Sequence, residues 1–198
     1  ERLSRSQGLF SIASAANDSA VELDELESNL LPYTLLAGMQ AVRTGPLVKQ
    51  WVVPKRDENV VGVTEWFSFA SGQCKTLGRQ MLGEELTVQH ASNGVSFPVL
   101  PLLSSAVPEL APTEIDTGSS VTEPSISSVG RDATSAAQTA LHVITIGISE
   151  YKDASLKLKY AADDAQAVAA LFRKRGTAVH SRVNVRELTD LAATAPKI

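Results

Sequence analysis

The sequence has one cysteine, few aromatic residues and no long apolar run. Cys74 is the only cysteine among 198 residues, so the chain can form neither an internal disulfide nor a metal site built from several cysteines. A lone thiol fits a reducing compartment, and we expect a cytoplasmic protein. No window approaches the roughly 18 apolar residues of a membrane-spanning helix. The short apolar run at residues 9–13 is interrupted by serine, so we do not interpret it as a secretory signal.

Nucleotide and nucleic-acid signatures are also missing. The net charge of -4 provides no general attraction to phosphate backbones or anionic lipids. The chain has neither Gly-x-x-x-x-Gly-Lys nor Gly-x-Gly-x-x-Gly, the loops that bind phosphates. We therefore expect no nucleic-acid or membrane partner, no cofactor and no metal.

What the chain does contain divides into four zones. Residues 1–50 form a predicted helical region, residues 51–103 an irregular β-rich region, residues 104–138 a disordered linker rich in Ser, Thr and Pro, and residues 139–198 an α/β unit. Apolar positions with helical spacing support the first zone: Leu9, Ile12, Ala13 and Ala16, and then Leu31, Leu35, Met39 and Val42. Runs rich in β-branched and aromatic residues, at residues 60–63, 66–69, 86–88 and 95–100, predict the strands of the second zone.

The fourth zone has the clearest pattern. Residues 143–148 form a short apolar run of the kind that is buried on both faces of a parallel sheet. A helix follows with one apolar face, and cations with Gly176 beyond them mark its end. Residues 179–185 alternate as a second strand, and Asp190 is placed to cap another helix. Strand, helix and strand in this order predict a βαβ unit with parallel strands.

Two adjacent acids stand near the start of the predicted helix. Asp163 points away from the apolar stripe, and the positive end of the helix dipole is a sufficient reason for it. Asp164 lies only about 60° from the centre of that stripe. A carboxylate beside a buried stripe needs a partner or a ligand. In parallel α/β sheets, ligands bind outside the carboxyl ends of the strands, where this helix begins.

Residues 143–190 resemble the beginning of a caspase-like peptidase domain of the bacterial metacaspase or orthocaspase type. The resemblance is carried by a strand ending in Gly-Ile-Ser, by EYKDASLKLKYAADDAQAVAALF, by a basic helix end with glycine, and by a strand running into RELTDLAAT. Its most specific parts are A-x-D-A at residues 162–165 and LTD-x-x-AT at residues 188–194. The resemblance implies that residues 139–198 are the N-terminal part of a cysteine endopeptidase domain, a hydrolase.

In the metacaspase branch an aspartate on this helix lines the pocket for a basic P1 side chain, and its position corresponds to Asp164. The family usually has Asn-Asp where this chain has Asp163-Asp164, and the cysteine often found three residues earlier is Ala161. The resemblance therefore implies a substrate-binding role for Asp164. It predicts that Asp164→Ala reduces cleavage after Arg or Lys while the fold stays largely intact.

The catalytic pair of such a peptidase is not found in this sequence. Caspase-like catalysis uses a His in a His-Gly segment and a Cys in an Asp-x-Cys segment, and the resemblance places both beyond Ile198. Cys74 lacks the flanking residues of the family, and His90, His142 and His180 are expected to be structural or exposed. We expect this chain alone to be inactive.

The first zone resembles the helical segment that precedes WD-repeat propellers in bacterial signalling proteins. The matching residues are Arg5-Ser6-Gln7 and Leu35-Leu36-Ala37 with Ala41 and Arg43, and Pro32 is a departure. Two hypotheses follow for the whole chain. It is part of a multidomain caspase-like peptidase that acts on protein or peptide substrates, or it is a non-enzymatic scaffold with a pseudo-peptidase unit that binds protein partners through its N-terminal region.

Overall fold

The computed structural model describes residues 8–15, 22–54, 59–83, 86–103 and 139–193. In those ranges the elements are β1 (Gly8–Ala15), β2 (Glu22–Leu23), β3 (Ser28–Asn29), α1 (Leu30–Gly38), β4 (Val60–Gly62), α2 (Val63–Leu82), β5 (Thr87–Gly94), β6 (Pro98–Pro101), β7 (Ala140–Gly147), α3 (Ala161–Arg175) and β8 (Arg182–Thr189). Short 3-10 turns occupy Asp24–Leu26, Ala154–Leu156, Gly176–Ala178 and Asp190–Ala192. The predicted linker, residues 104–138, lies outside the described residues.

The described strands form four two-stranded sheets, three antiparallel and one parallel. The antiparallel pairs are β1 with β5, β2 with β3 and β4 with β6, and the parallel pair is β7 with β8. The parallel register runs from Ala140 opposite Arg182 to Gly147 opposite Thr189. The mixed α/β class and the parallel strand pair at the C-terminal end of the chain are confirmed.

The helix α3 connects the two parallel strands and packs against both. Its buried residues include Ala165, Leu171 and Phe172, all on the predicted apolar stripe. Its last turn carries Arg173, Lys174 and Arg175, and Gly176 follows at the C-cap. Cations in the last turn complement the negative end of the helix dipole, so the predicted helix end is also confirmed.

The prediction that the first strand is buried on both faces is wrong for the described chain. One face of β7 packs on α3, whereas Ile144 and Ile146 on the other face are 56% and 48% exposed. The neighbouring positions Asn184 and Arg186 of β8 are exposed as well. The apolar run is what a fully covered strand needs, but within the described residues no element covers its outer face.

The predicted helix at residues 9–16 is instead the strand β1 across Gly8–Ala15. Its partner is β5, with Phe10 opposite Ser92 and Ile12 opposite His90. Phe10 and Ile12 are half-buried, whereas Leu9, Ser11 and Ala13 are exposed, which is the two-residue period of a strand. The same apolar positions also suit a helical spacing, and pairing with a distant strand decided between the two.

Residues 66–69 were predicted as a strand but belong to the 20-residue helix α2. The buried positions Trp66, Ala70, Cys74 and Leu77 recur every three or four residues along this helix. Local preference for β structure in Trp-Phe-Ser-Phe concealed that longer period. The second zone therefore contains a long helix besides its strands.

One apolar core connects the upstream elements to the βαβ unit. The rings of Trp66 in α2 and Phe172 in α3 lie 5.6 Å apart between centroids, and the Trp66 indole N–H donates to the carbonyl of Leu35 at 2.8 Å. The Arg175 guanidinium donates to the carbonyl of Met39 at the end of α1. We call the described elements before residue 104 the upstream layer. The helix α3 is thus held between the parallel strands on one side and the upstream layer on the other.

Candidate functional site

Asp164 lies in the first turn of α3, close to the carboxyl end of β7. The strand and the helix touch here, because a Cβ added to Gly147 would lie 2.0 Å from the carbonyl oxygen of Ala161. Asp164 is only 5% exposed, whereas its neighbour Asp163 is exposed. The sequence-based placement of the two acids, one outward and one beside the buried stripe, is therefore correct.

The partner of Asp164 comes from the upstream layer. The hydroxyl of Ser28 donates to its Oδ1 at 2.5 Å, and Asn29 donates to its Oδ2 from the backbone N–H at 2.9 Å and from Nδ2 at 2.8 Å. Both donor residues form β3 and are themselves buried. In this structure the carboxylate is bound by the chain itself.

The electrostatic setting of Asp164 is unusual for a buried acid. Burial raises its pKa, the bonds from Ser28 and Asn29 oppose that shift, and the charge of Asp163 adds to it. Among the described residues no Lys or Arg forms an ion pair with Asp164. Buried carboxylates normally have a cation or a metal beside them. The carboxyl group is thus bound by neutral donors, with no ion-paired cation beside it among the described residues.

A short segment covers the N-terminal end of α3, and we call residues 22–29 the clasp. Besides Ser28 and Asn29, it contributes Glu22, whose Oε1 accepts the backbone N–H groups of Lys159 and Tyr160. Its Asp24 accepts the Lys159 ammonium at 2.9 Å and the Tyr160 hydroxyl at 2.8 Å. Lys159 and Tyr160 lower the pKa of Asp24 through these bonds. Solvent surrounds the Asp24–Lys159 pair, so this outer contact is weak.

Asp190 holds the loop that follows β7. Its Oδ1 accepts the backbone N–H groups of Ser149 at 2.7 Å and Glu150 at 2.9 Å, and these bonds lower its pKa. The Ser149 hydroxyl in turn accepts the N–H of Ala162 at 3.0 Å and so caps α3. The interpretation of Asp190 as the cap of another helix is wrong within the described residues, because Asp190 is the first residue of a 3-10 turn and adopts the left-handed region at φ 43°.

None of the other sequence candidates forms a hydrogen bond with Asp164 in the described residues. Cys74 is buried in α2 with its Sγ 3.3 Å from the Thr34 hydroxyl, and burial raises the pKa of this thiol. A protonated buried thiol is a poor nucleophile. His90 and His142 are exposed on strands. In the described part of the chain, no histidine forms a hydrogen bond with Cys74.

The residues that sequence reasoning missed are those of the clasp. Ser28 is 136 positions from Asp164 along the chain, and Asn29 is 135 positions away. The stretch ELDELESN carries no spacing that indicates a partner so distant. The only available signal was at the other end, since an acid beside an apolar stripe requires a partner of some kind.

Comparison of the chain with protein-family models, with curated proteins and with solved structures finds no match. The caspase-like interpretation therefore stays a prediction that rests on the sequence motifs. The described helices include none that is long and apolar enough to cross a membrane. No three His, Cys, Asp or Glu side chains of the described residues are grouped as metal ligands.

His180 leads to a prediction about pH. It is 6% exposed and lies against the backbone of Pro98 and Val99 in β6, yet neither ring nitrogen makes a hydrogen bond of ordinary geometry to a described residue. Burial lowers its pKa below the ordinary 6.5. The unfolded chain therefore binds a proton that the folded chain disfavours, and the unfolding free energy should fall as the pH falls through 6.5, by at most about 1.4 kcal/mol per pH unit.

Urea unfolding of the parent chain and of His180→Gln, between pH 7.5 and 5.5, measures this effect. The difference between the two slopes isolates His180, because the exposed His90 and His142 are present in both proteins. Equal slopes would show that His180 does not titrate differently in the folded and unfolded states.

Proposed function

We propose that this chain is part of a caspase-like cysteine endopeptidase that cleaves after basic residues. In this proposal, residues 139–198 are the N-terminal part of the peptidase domain, and the upstream layer is a regulatory region packed onto it. The motifs at residues 162–165 and 188–194 support the assignment. The parallel pair β7–β8 and the crossover helix α3 have the architecture that the resemblance implies.

The observation that carries the proposal is the position of Asp164. Its carboxylate lies at the carboxyl end of a parallel strand, in the first turn of the crossover helix. Ligands of parallel α/β sheets bind at this edge. A carboxylate there can select an Arg or Lys side chain by a charge-assisted contact. The loop after β7 borders the same edge: Asp190 accepts the Ser149 N–H, and the Ser149 hydroxyl accepts the Ala162 N–H.

The chemical step of the proposed peptidase belongs to two residues outside the described chain. A cysteine thiolate attacks the carbonyl carbon of the scissile peptide, and a histidine donates a proton to the leaving amine. Water then hydrolyses the thioester. The task of Asp164 in this scheme is to bind the substrate side chain, so it contributes orientation and specificity.

The second candidate is a non-enzymatic module that binds protein partners, and the clasp favours it. Ser28 and Asn29 already engage both oxygens of Asp164. A carboxylate with these bonds can serve as a permanent structural contact between the upstream layer and α3. A scaffold of this kind needs no access to Asp164 and no catalytic pair.

The full-length gene product decides between the candidates. We expect it to cleave peptide substrates in which the scissile bond follows Arg or Lys, and not those in which it follows Asp. Asp164→Ala should lower kcat/KM by roughly 10²–10³, because a substrate cation loses its partner in a desolvated site.

Asp163→Ala is the matched control, one residue away and exposed, and it should leave kcat/KM nearly unchanged. The proposal is wrong if the gene product lacks a His-Gly and an Asp-x-Cys segment and cleaves none of these peptides. A preference for cleavage after Asp would reject the basic specificity.

A further inference from the structure

The cluster at Asp164 has more hydrogen-bond acceptors than donors. An ionised carboxylate offers about four acceptor positions, and three donors from Ser28 and Asn29 reach it. The side-chain oxygen of Asn29 is a further acceptor, buried and without a hydrogen-bond partner among the described residues. Asn29 is 8% exposed, so bulk water does not compensate this atom. The closed arrangement leaves the Asn29 oxygen unmatched and the Asp164 carboxyl group without a cation.

Exchange of the clasp for a cation rich in N–H groups would correct both deficits, because Asp164 gains a charged partner and the released Asn29 oxygen reaches water. An arginine guanidinium carries five N–H donors in a planar fork and a positive charge. It forms two parallel, charge-assisted bonds with a carboxylate, and these are stronger than bonds from neutral donors. The atoms of the cluster are buried, however, and the clasp covers them. A guanidinium reaches Asp164 only when Ser28 and Asn29 move away.

We propose that the clasp and an arginine side chain compete for Asp164, so that the clasp closes the site until a basic ligand displaces it. This inference rests on the proposed substrate role of Asp164. It adds that Ser28 and Asn29, which belong to the upstream layer, control access to that residue. The closed and the ligand-bound states exclude each other because they use the same carboxylate oxygens.

The construction of the clasp suits a segment that opens. Its strands β2 and β3 have two residues each and pair only with each other. Its outer contact, between Asp24 and Lys159, is exposed to solvent. The left-handed residue Glu27, at φ 48°, links its 3-10 turn to β3. Two features oppose opening: Leu23 is buried in the core, and Ser28 and Asn29 form hydrogen bonds with Asp164. The equilibrium therefore depends on what replaces those bonds.

Calorimetry and hydrogen exchange on the 198-residue chain test the competition. The ligand is a short peptide with C-terminal arginine, and the control peptide carries citrulline, which has the same shape without the charge. We expect the arginine peptide to bind the chain one-to-one and the citrulline peptide not to bind. Binding of the arginine peptide should lower the exchange protection of the Asn29 backbone N–H at least about tenfold, because that N–H is released from Asp164.

Three variants sharpen the test. Asn29→Leu removes one donor of the closed state, so the arginine peptide should bind about tenfold more tightly. Asn184→Leu, on the exposed face of β8, is the matched control and should bind like the parent. Asp164→Asn should weaken binding at least about thirtyfold. If Asn29→Leu does not fold, the Glu22→Gln, Asp24→Asn double variant loosens the outer clasp and should also tighten binding.

Several results would overturn the competition. Bound arginine peptide with an unchanged Asn29 protection would place the ligand elsewhere. Weaker binding of the arginine peptide by Asn29→Leu would show that the clasp is a permanent contact. The absence of binding by both the parent and the loosened variants would show the same. These measurements need no turnover. If the clasp and the arginine peptide compete but the full-length gene product has no peptidase activity, the proposed function is wrong and the competition stands.

Discussion

Asp164→Ala is expected to lower the free energy of unfolding by about 2–3 kcal/mol. The substitution leaves the Ser28 hydroxyl and two N–H groups of Asn29 buried without their acceptor. Loss of the desolvated charge recovers part of that cost, which is why the estimate stays below the roughly 3–5 kcal/mol of a broken buried ion pair. The sequence-based expectation that this variant keeps its fold largely intact stays a prediction, and these contacts give the loss of stability that it must tolerate. Urea denaturation measures the change.

The neighbouring acid provides the control for this result. Asp163→Ala removes the same charge from the same turn of α3, but from an exposed position, and should cost about 0.3–1 kcal/mol. A double-mutant cycle with Ser28→Ala should show coupling to Asp164 and none to Asp163. Equal losses for the two alanine variants would mean that the bonds from the clasp contribute nothing to stability.

Gly147→Ala should be more damaging, with a loss of about 3 kcal/mol or more. A Cβ at this position would lie 2.0 Å from the carbonyl oxygen of Ala161 and 2.8 Å from the Cβ of Ala165. The nearest atom belongs to backbone, so no side-chain rotation relieves the clash. The end of β7 and the start of α3 must separate, and that movement also displaces Asp164 from the clasp.

Gly72→Ala is the matched substitution in α2. Nothing lies within 4 Å of a Cβ at Gly72, and alanine is favoured over glycine inside a helix by about 1 kcal/mol. We expect the Gly72 variant to unfold at a higher urea concentration than the parent and the Gly147 variant at a lower one. A Gly147 variant as stable as the parent would contradict the close contact of strand and helix.

Local sequence patterns alone identified the βαβ unit. The continuous apolar run of β7, the stripe of α3 with its 3.6-residue period and the basic turn before Gly176 each depend only on neighbouring residues. The same reasoning placed Asp163 outward and Asp164 beside the stripe. Side-chain direction along one helix needs no knowledge of the rest of the chain.

The upstream elements were harder to predict because their local and distant signals conflict. Residues 9–13 suit a helix and a strand equally, and the pairing of β1 with β5, far away in sequence, selected the strand. The residues around Trp66 have a strong preference for β structure, but burial against α1 and α3 favours a helix with an apolar face. Such preferences are weak compared with tertiary packing.

The sequence by itself determined that Asp164 needs a partner, and only the tertiary structure decided which one. An acid beside an apolar stripe is costly whatever the fold, so the requirement is local. The choice of Ser28 and Asn29 depends on how α1 and the clasp pack on α3, which brings together residues 135 and 136 positions apart. No helical or strand period extends over such a separation, because contacts of this kind arise only when complete elements share one core.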